Sequence, residues 1–177
     1  MRVRLFFQDE ARFGRISDLR RCWAPLPVRP VTGHQVVRES VYVLNAVCPA
    51  DGQMATLIMP WLDAQIMSVF LAHTAQQFAG QFCVILLDGA GWHRANDLQI
   101  PKTVRLIPLP PYSPELNPVE HLWEHLRENA LKNTTFQSLD EVMNALCQGL
   151  KRLSEQPDLV HSMTCFDWIN PLCMMYN

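Results

Sequence analysis

The sequence predicts a mixed α/β fold, a sheet with helices on its faces. Three observations carry that expectation. Two early β-rich stretches are joined by a hairpin signal. Residues 82–87, FCVILL, form a continuous apolar run, the pattern of a strand buried on both faces. Two closing segments carry apolar stripes at helical spacing.

The elements follow in order. Residues 3–9, VRLFFQD, read as a strand running into a polar end at Asp9. Pro25, Pro27 and Pro30 then break any strand over 20–31 or confine it to an edge. Residues 40–48, SVYVLNAVC, and 54–60, MATLIMP, read as paired strands with residues 49–52 in the turn. Asp63 can cap a helix whose inner face is Ile66, Phe70, Thr74 and Phe78, and Gly80 stops it. The strand over 82–87 ends on Asp88-Gly89, and residues 104–109, VRLIPL, read as another short buried strand.

Pro108, Pro110, Pro111 and Pro114 exclude a helix until Asn117, which caps one with Pro118 at its first position. Its stripe is Leu116, Val119, Leu122, Trp123, Leu126 and Ala130. The last helix starts at Ser138, with Glu141 completing a capping box, and its stripe is Leu139, Val142, Leu146, Leu150 and Leu153. The tail from Cys165 to Asn177 is apolar, with packing on the core or on another subunit both open.

Composition sets outer limits. At 177 residues, 49% of them hydrophobic and 18% charged, the chain can bury a substantial core. No stretch of about 18 apolar residues marks a membrane span, and the N-terminus lacks signal-peptide character. A cytoplasmic protein is the default expectation. Cys22, Cys48, Cys83, Cys147, Cys165 and Cys173 form no CxxC pair and are expected as reduced thiols. Net charge is −2, but residues 1–40 hold eight Arg against four acids. Such a segment can meet phosphates or simply be a solvated face.

Three acids stand out chemically. Asp9 and Asp88 each end an apolar strand, and the carboxyl ends of neighbouring strands are where α/β sheets place ligands. Two carboxylates brought together repel, by about 1 kcal/mol at 4 Å in water. A divalent cation with hard oxygen ligands offsets this. Strand-terminal Asp residues also simply turn the chain, so this reading competes with a structural one. On the next helix, Glu120 lies about 100° from the centre of the apolar stripe, whereas Glu124 and Glu128 lie farther round. Glu120 therefore borders the buried face while the other two meet solvent, although a Glu there can also cap its own helix. Glu10 faces the other side of its strand from Asp9. His93 lies five residues after Asp88. His121 and His125 are spaced i, i+4 without the acid of a metalloprotease pattern, and point to solvent.

Three segments, in order, then bind these acids together: FQDEARFG, VILLDGAGWHRA and LPPYSPELNPVEHLWEHLRE. They span roughly residues 3–155 and resemble the DDE transposases of the mariner superfamily, especially the bacterial insertion sequence 630 branch. Trp23-Ala24-Pro25 is similar to a tryptophan-containing strand of that family. The resemblance implies a ribonuclease H-like fold, a mixed five-stranded sheet with helices on both faces. It implies a catalytic, metal-binding triad of Asp9, Asp88 and Glu120, with 31 residues between the last two (120 − 88 − 1). It also implies two Mg²⁺ ions, for which Mn²⁺ can substitute, with Asp9 bridging them. Glu10, Arg12, His93 and Asn117 become candidates for supporting the acids or touching DNA.

The implied activity is cleavage and strand transfer on double-stranded DNA, both transposon ends and target, by a homodimer. No membrane partner is implied. The family carries helix-turn-helix domains upstream of the first Asp, which here is residue 9. The expectation is thus a catalytic domain over 1–160, a tail over 161–177, no N-terminal reader, and a separate helix-turn-helix chain as a candidate partner. Two other readings compete. One is a transposase remnant that folds and dimerises without cutting. The other is a nuclease for RNA–DNA hybrids or junctions.

Overall fold

The computed structural model describes residues 2–89 and 97–171. His93 and Cys173 lie outside them. Five strands form one sheet: β1 (Arg2–Ile16), β2 (Val36–Cys48), β3 (Gln53–Met59), β4 (Gln81–Leu87) and β5 (Val104–Pro108), in the order β3-β2-β1-β4-β5. The β1–β2 and β2–β3 pairs are antiparallel, while β1–β4 and β4–β5 are parallel. The helices are α1 (Ala64–Gln77), α2 (Val119–Leu126), α3 (Leu139–Ser154) and α4 (Pro157–Thr164). This is the mixed five-stranded sheet the sequence predicts.

The pleat divides the core. Phe6, Leu44, Ala46 and Ile85 point to one face and pack under α1 through Met67, Phe70 and Leu71. Phe7, Ala11, Phe13, Val43 and Val47 point to the other and pack under α2, α3 and α4. Helices lie on both faces, but the two-sided burial expected of the parallel strands is only partial. β4 buries Cys83, Ile85 and Leu87 and leaves Phe82, Val84 and Leu86 half-buried, while β5, at the edge of the sheet, buries only Val104 and exposes Ile107. Among the described residues, no helix is long and apolar enough to cross a membrane.

Local chemistry explains the element ends. Asp63 Oδ1 accepts from the Ile66 N–H at 2.8 Å and starts α1. Ser138 caps α3 through the Glu141 N–H at 3.2 Å, while the Glu141 carboxylate accepts from the Gln137 N–H at 2.7 Å, one residue before the expected partner. Gly52, at φ +68°, turns the β2–β3 hairpin beneath α4, where an added Cβ would lie 1.9 Å from the Pro157 carbonyl oxygen. His161 Nδ1 donates to the Pro49 carbonyl at 2.6 Å and fastens α4 to the same turn. After α4, Ile169 is fully buried, and Phe166 and Trp168 extend an aromatic contact to Phe7. The described part of the tail packs on the core of its own chain.

Four further expectations need correction. β1 does not end at Asp9 but runs to Ile16, because antiparallel pairing with β2 continues beyond the end of β4. β2 likewise starts at Val36. The segment 17–35 holds no strand, and Trp23 is fully exposed at 103%, because its prolines deny the ladder its donors. Glu124 and Glu128 do not simply meet solvent. Both pair with Arg20, which also holds Asp18, and this cluster ties the root of segment 17–35 to α2.

Candidate active site

β1 and β4 run parallel, with Phe7 opposite Leu86. Extending that register by two residues sets Asp88 beside Asp9, at the carboxyl edge where β4 stops and β1 continues. The α2 helix crosses this edge on the face that Phe7, Asp9, Ala11 and Phe13 share, and its first turn carries Glu120. Asp9, Asp88 and Glu120 all line one cleft of about 480 Å³. Its other wall is the loop over 109–114, Leu-Pro-Pro-Tyr-Ser-Pro.

Asn117 places the helix. Its backbone is extended, its buried Oδ1 accepts from the Val119 N–H at 3.2 Å, and its Nδ2 donates to the Gln8 carbonyl at 3.0 Å. One side chain thus caps α2 and moors it to the residue before Asp9. The Asn117 N–H, which a capping Glu120 would accept from, donates instead to the Pro114 carbonyl at 2.9 Å, and among the described residues the Glu120 carboxylate makes no capping hydrogen bond. The buried stripe of α2 is Val119, Leu122, Trp123 and Leu126, as the periodicity predicts, which leaves Glu120 at its border.

Asp9 is the strained member. It sits half-buried on a strand face that is otherwise apolar. Burial, helped by the negative charges of Glu120 and Glu10, raises its carboxyl from 3.8 to about 7. The Trp123 indole N–H donates to its Oδ2 at 2.9 Å and opposes that rise. Sequence reasoning missed this contact, taking Trp123 only as core. The available signal was that a buried indole N–H usually finds an acceptor.

The donor set fits a hard divalent cation. One Asp9 oxygen is held by Trp123, and a bound cation would offset the burial and, secondarily, the neighbouring negative charges that raise the Asp9 carboxyl. Among the described residues, no three His, Cys, Asp or Glu side chains are close enough to form a compact metal cluster. Asp88 and Glu120 are exposed, whereas Asp9 is half-buried.

Other expected residues scatter. The Glu10 side chain accepts from Gln8 Nε2 at 2.8 Å on the strand face opposite Asp9. Glu10 acts on the Asp9 carboxyl in two opposed ways, its charge raising the pKa and its backbone N–H, hydrogen-bonded to the carboxylate, lowering it. Arg12 is exposed and lines a separate depression with Arg20 and Arg127. His121 is not simply solvated, because its Nδ1 donates to the Met163 carbonyl at 3.1 Å and its ring packs on Phe166. Cys48 and Cys83 are buried, and burial raises both thiols, whereas Cys22 and Cys147 are exposed.

A family model described as DDE superfamily endonuclease matches residues 4–143. The chain belongs to the DDE superfamily endonucleases. A curated relative from Sinorhizobium fredii, the uncharacterized protein y4pE/y4sA, is 38% identical over 128 residues, covering 72% of this chain and 95% of that protein. Among solved structures, this DDE superfamily chain is similar to the Mos1 strand transfer complex, with a TM-score of 0.58, 14% identity, 92% of this chain and 55% of that one covered. The Mos1 mariner paired-end complex with Mn gives a TM-score of 0.59 at 15% identity, with 92% and 56% covered. These likenesses show the ribonuclease H-like fold. The DDE superfamily chain spans little more than half the length of the Mos1 chains it matches.

Proposed function

We propose that this chain is the catalytic domain of a transposase of the mariner superfamily, in the insertion sequence 630 branch, acting by metal-dependent DNA cleavage and strand transfer. The observation that carries the reading is the meeting of Asp9, Asp88 and Glu120 in one cleft, from two strands and a helix far apart in sequence. Membership of the DDE superfamily endonucleases supports it. So do the solved Mos1 mariner complexes, which include paired-end complexes with Mn and with Mg.

Asp9, Asp88 and Glu120 would hold two divalent ions, Mg²⁺ or Mn²⁺. Bound ions supply stabilisation of the attacking and leaving oxygens of an in-line phosphodiester displacement. The protein's own part is positional. The paired strands β1 and β4 fix two carboxylates, Asn117 fixes the helix bearing the third, and Trp123 restrains Asp9 in one orientation. None of the three acids needs to become covalently attached to DNA. Water attack frees a transposon end, whose 3′-hydroxyl then attacks target DNA. The working unit is proposed to be a homodimer, with transposon-end recognition supplied by a helix-turn-helix partner. A remnant that folds without cutting has no support in the site, since each of the three acids is present and faces the cleft.

The test is a DNA nicking assay with Mg²⁺ or Mn²⁺. The wild type is expected to nick only with metal, and Asp88→Asn is expected to lose at least a hundredfold. Metal-dependent nicking that survives Asp88→Asn refutes the assignment.

A further inference from the structure

The wall of the cleft facing the acids has an unusual composition. Leu109, Pro110, Pro111, Tyr112, Ser113 and Pro114 line it, and no Lys or Arg is among the described lining residues. This wall is pinned at both ends. The Leu109 N–H donates to the Leu87 carbonyl at 2.7 Å, one residue before Asp88. A 3₁₀ turn over Pro114–Leu116 leads directly into Asn117, which is moored to Gln8. Proline fixes φ at the positions between, so the loop has few ways to relax.

Within this loop, Tyr112 adopts φ +57°, a left-handed conformation that a bulky side chain rarely takes. Its ring is fully exposed, at 101%. The fold thus holds an aromatic ring outward in a disfavoured backbone conformation, without any core contact to compensate. Strain of this kind concentrates where a side chain is displayed to a ligand.

We propose that Tyr112 is a stacking platform for an unpaired nucleobase next to the strand being cut. The inference rests on the nuclease reading above. The chemistry of the wall selects the ligand group. A phosphate would call for cations, which the described lining does not offer. A ring flanked by prolines instead presents flat apolar faces, and every base has a π-face that can stack on such a ring.

The test uses the full chain with Ca²⁺, to allow binding without cutting. Two DNA probes are compared, a blunt duplex and the same duplex with a short single-stranded 3′ flank carrying 2-aminopurine. The wild type should bind the flanked duplex more tightly and quench the 2-aminopurine. Tyr112→Ala should lose about tenfold in affinity for the flanked duplex and lose the quench, with blunt-duplex affinity unchanged. Tyr112→Phe and Tyr112→Trp should restore both. Equal binding and quenching by Tyr112→Ala and the wild type overturns the proposal. So does a Tyr112→Phe variant as weak as Tyr112→Ala, or a wild type that binds neither probe. A wild type that binds and quenches through Tyr112 but never cuts with Mg²⁺ upholds the stacking role while removing the nuclease reading.

Discussion

Asp9 shows how one residue's surroundings encode its role. The alternation Phe7, Asp9, Ala11, Phe13 places a carboxylate on a buried strand face, where an apolar side chain would pack without penalty. Its carboxyl, raised to about 7, keeps its proton in the folded state between roughly pH 4 and 7, while the unfolded chain has lost it. The folded state therefore gains stability from this group at low pH and loses it as pH rises through 7. Asp9→Asn should remove that loss. In chemical denaturation of the metal-free chain, the variant is expected to be more stable than the wild type by about 1 kcal/mol at pH 8, a value discounted for water reaching the half-buried group. The difference should shrink toward pH 5. A variant less stable at pH 8 contradicts this account of Asp9. Trp123 bears on the same group with the opposite sign. Its N–H stabilises the ionised carboxylate, so Trp123→Phe should push the Asp9 pKa higher. Mn²⁺ binding, which needs the ionised form, should then shift to more alkaline pH by about half a unit or more, read by calorimetry across pH.

At the scale of elements, the helices were the most legible. Periodicity gave the inner faces of α1, α2 and α3, and the Asp63 and Ser138 caps act as their sequence context suggests. Phase alone separated Glu120 from Glu124 and Glu128, although it did not show that the latter two hold Arg20. The extent of β1 is hard to read because its continuation alternates polar and apolar residues, and Asp9 resembles a polar strand end although it is a polar residue on the inner face. The Trp123–Asp9 bond was illegible because it joins residues 114 apart in sequence, and no local pattern encodes such a contact. The helix α4 was not anticipated, yet it clasps the β2–β3 turn closely. Gly52→Ala should meet the Pro157 carbonyl and also sit at a left-handed φ. A loss of more than about 2 kcal/mol in urea denaturation is expected. A neutral effect would show that α4 does not sit against the turn.

For the molecule as a whole, the sheet order brings the first strand between β2 and β4, and this makes the site. β1 pairs on one side with a strand that ends early and on the other with one that continues, so a carboxylate in mid-strand is left beside an open edge. The helix α2, on the Asp9 face, then brings a third acid to that edge from more than a hundred residues along the chain. The family-like segments named the same three acids from sequence, but only the fold shows that they line one cleft. The most direct test of this shared site is calorimetric titration of Mn²⁺ into the wild type, Asp9→Ala, Asp88→Ala, Glu120→Ala and the control Glu124→Gln. Binding should be present in the wild type and in Glu124→Gln, and should be lost or weakened at least tenfold in each of the other three. Undiminished Mn²⁺ binding by any of those three variants would contradict a site built from all three acids.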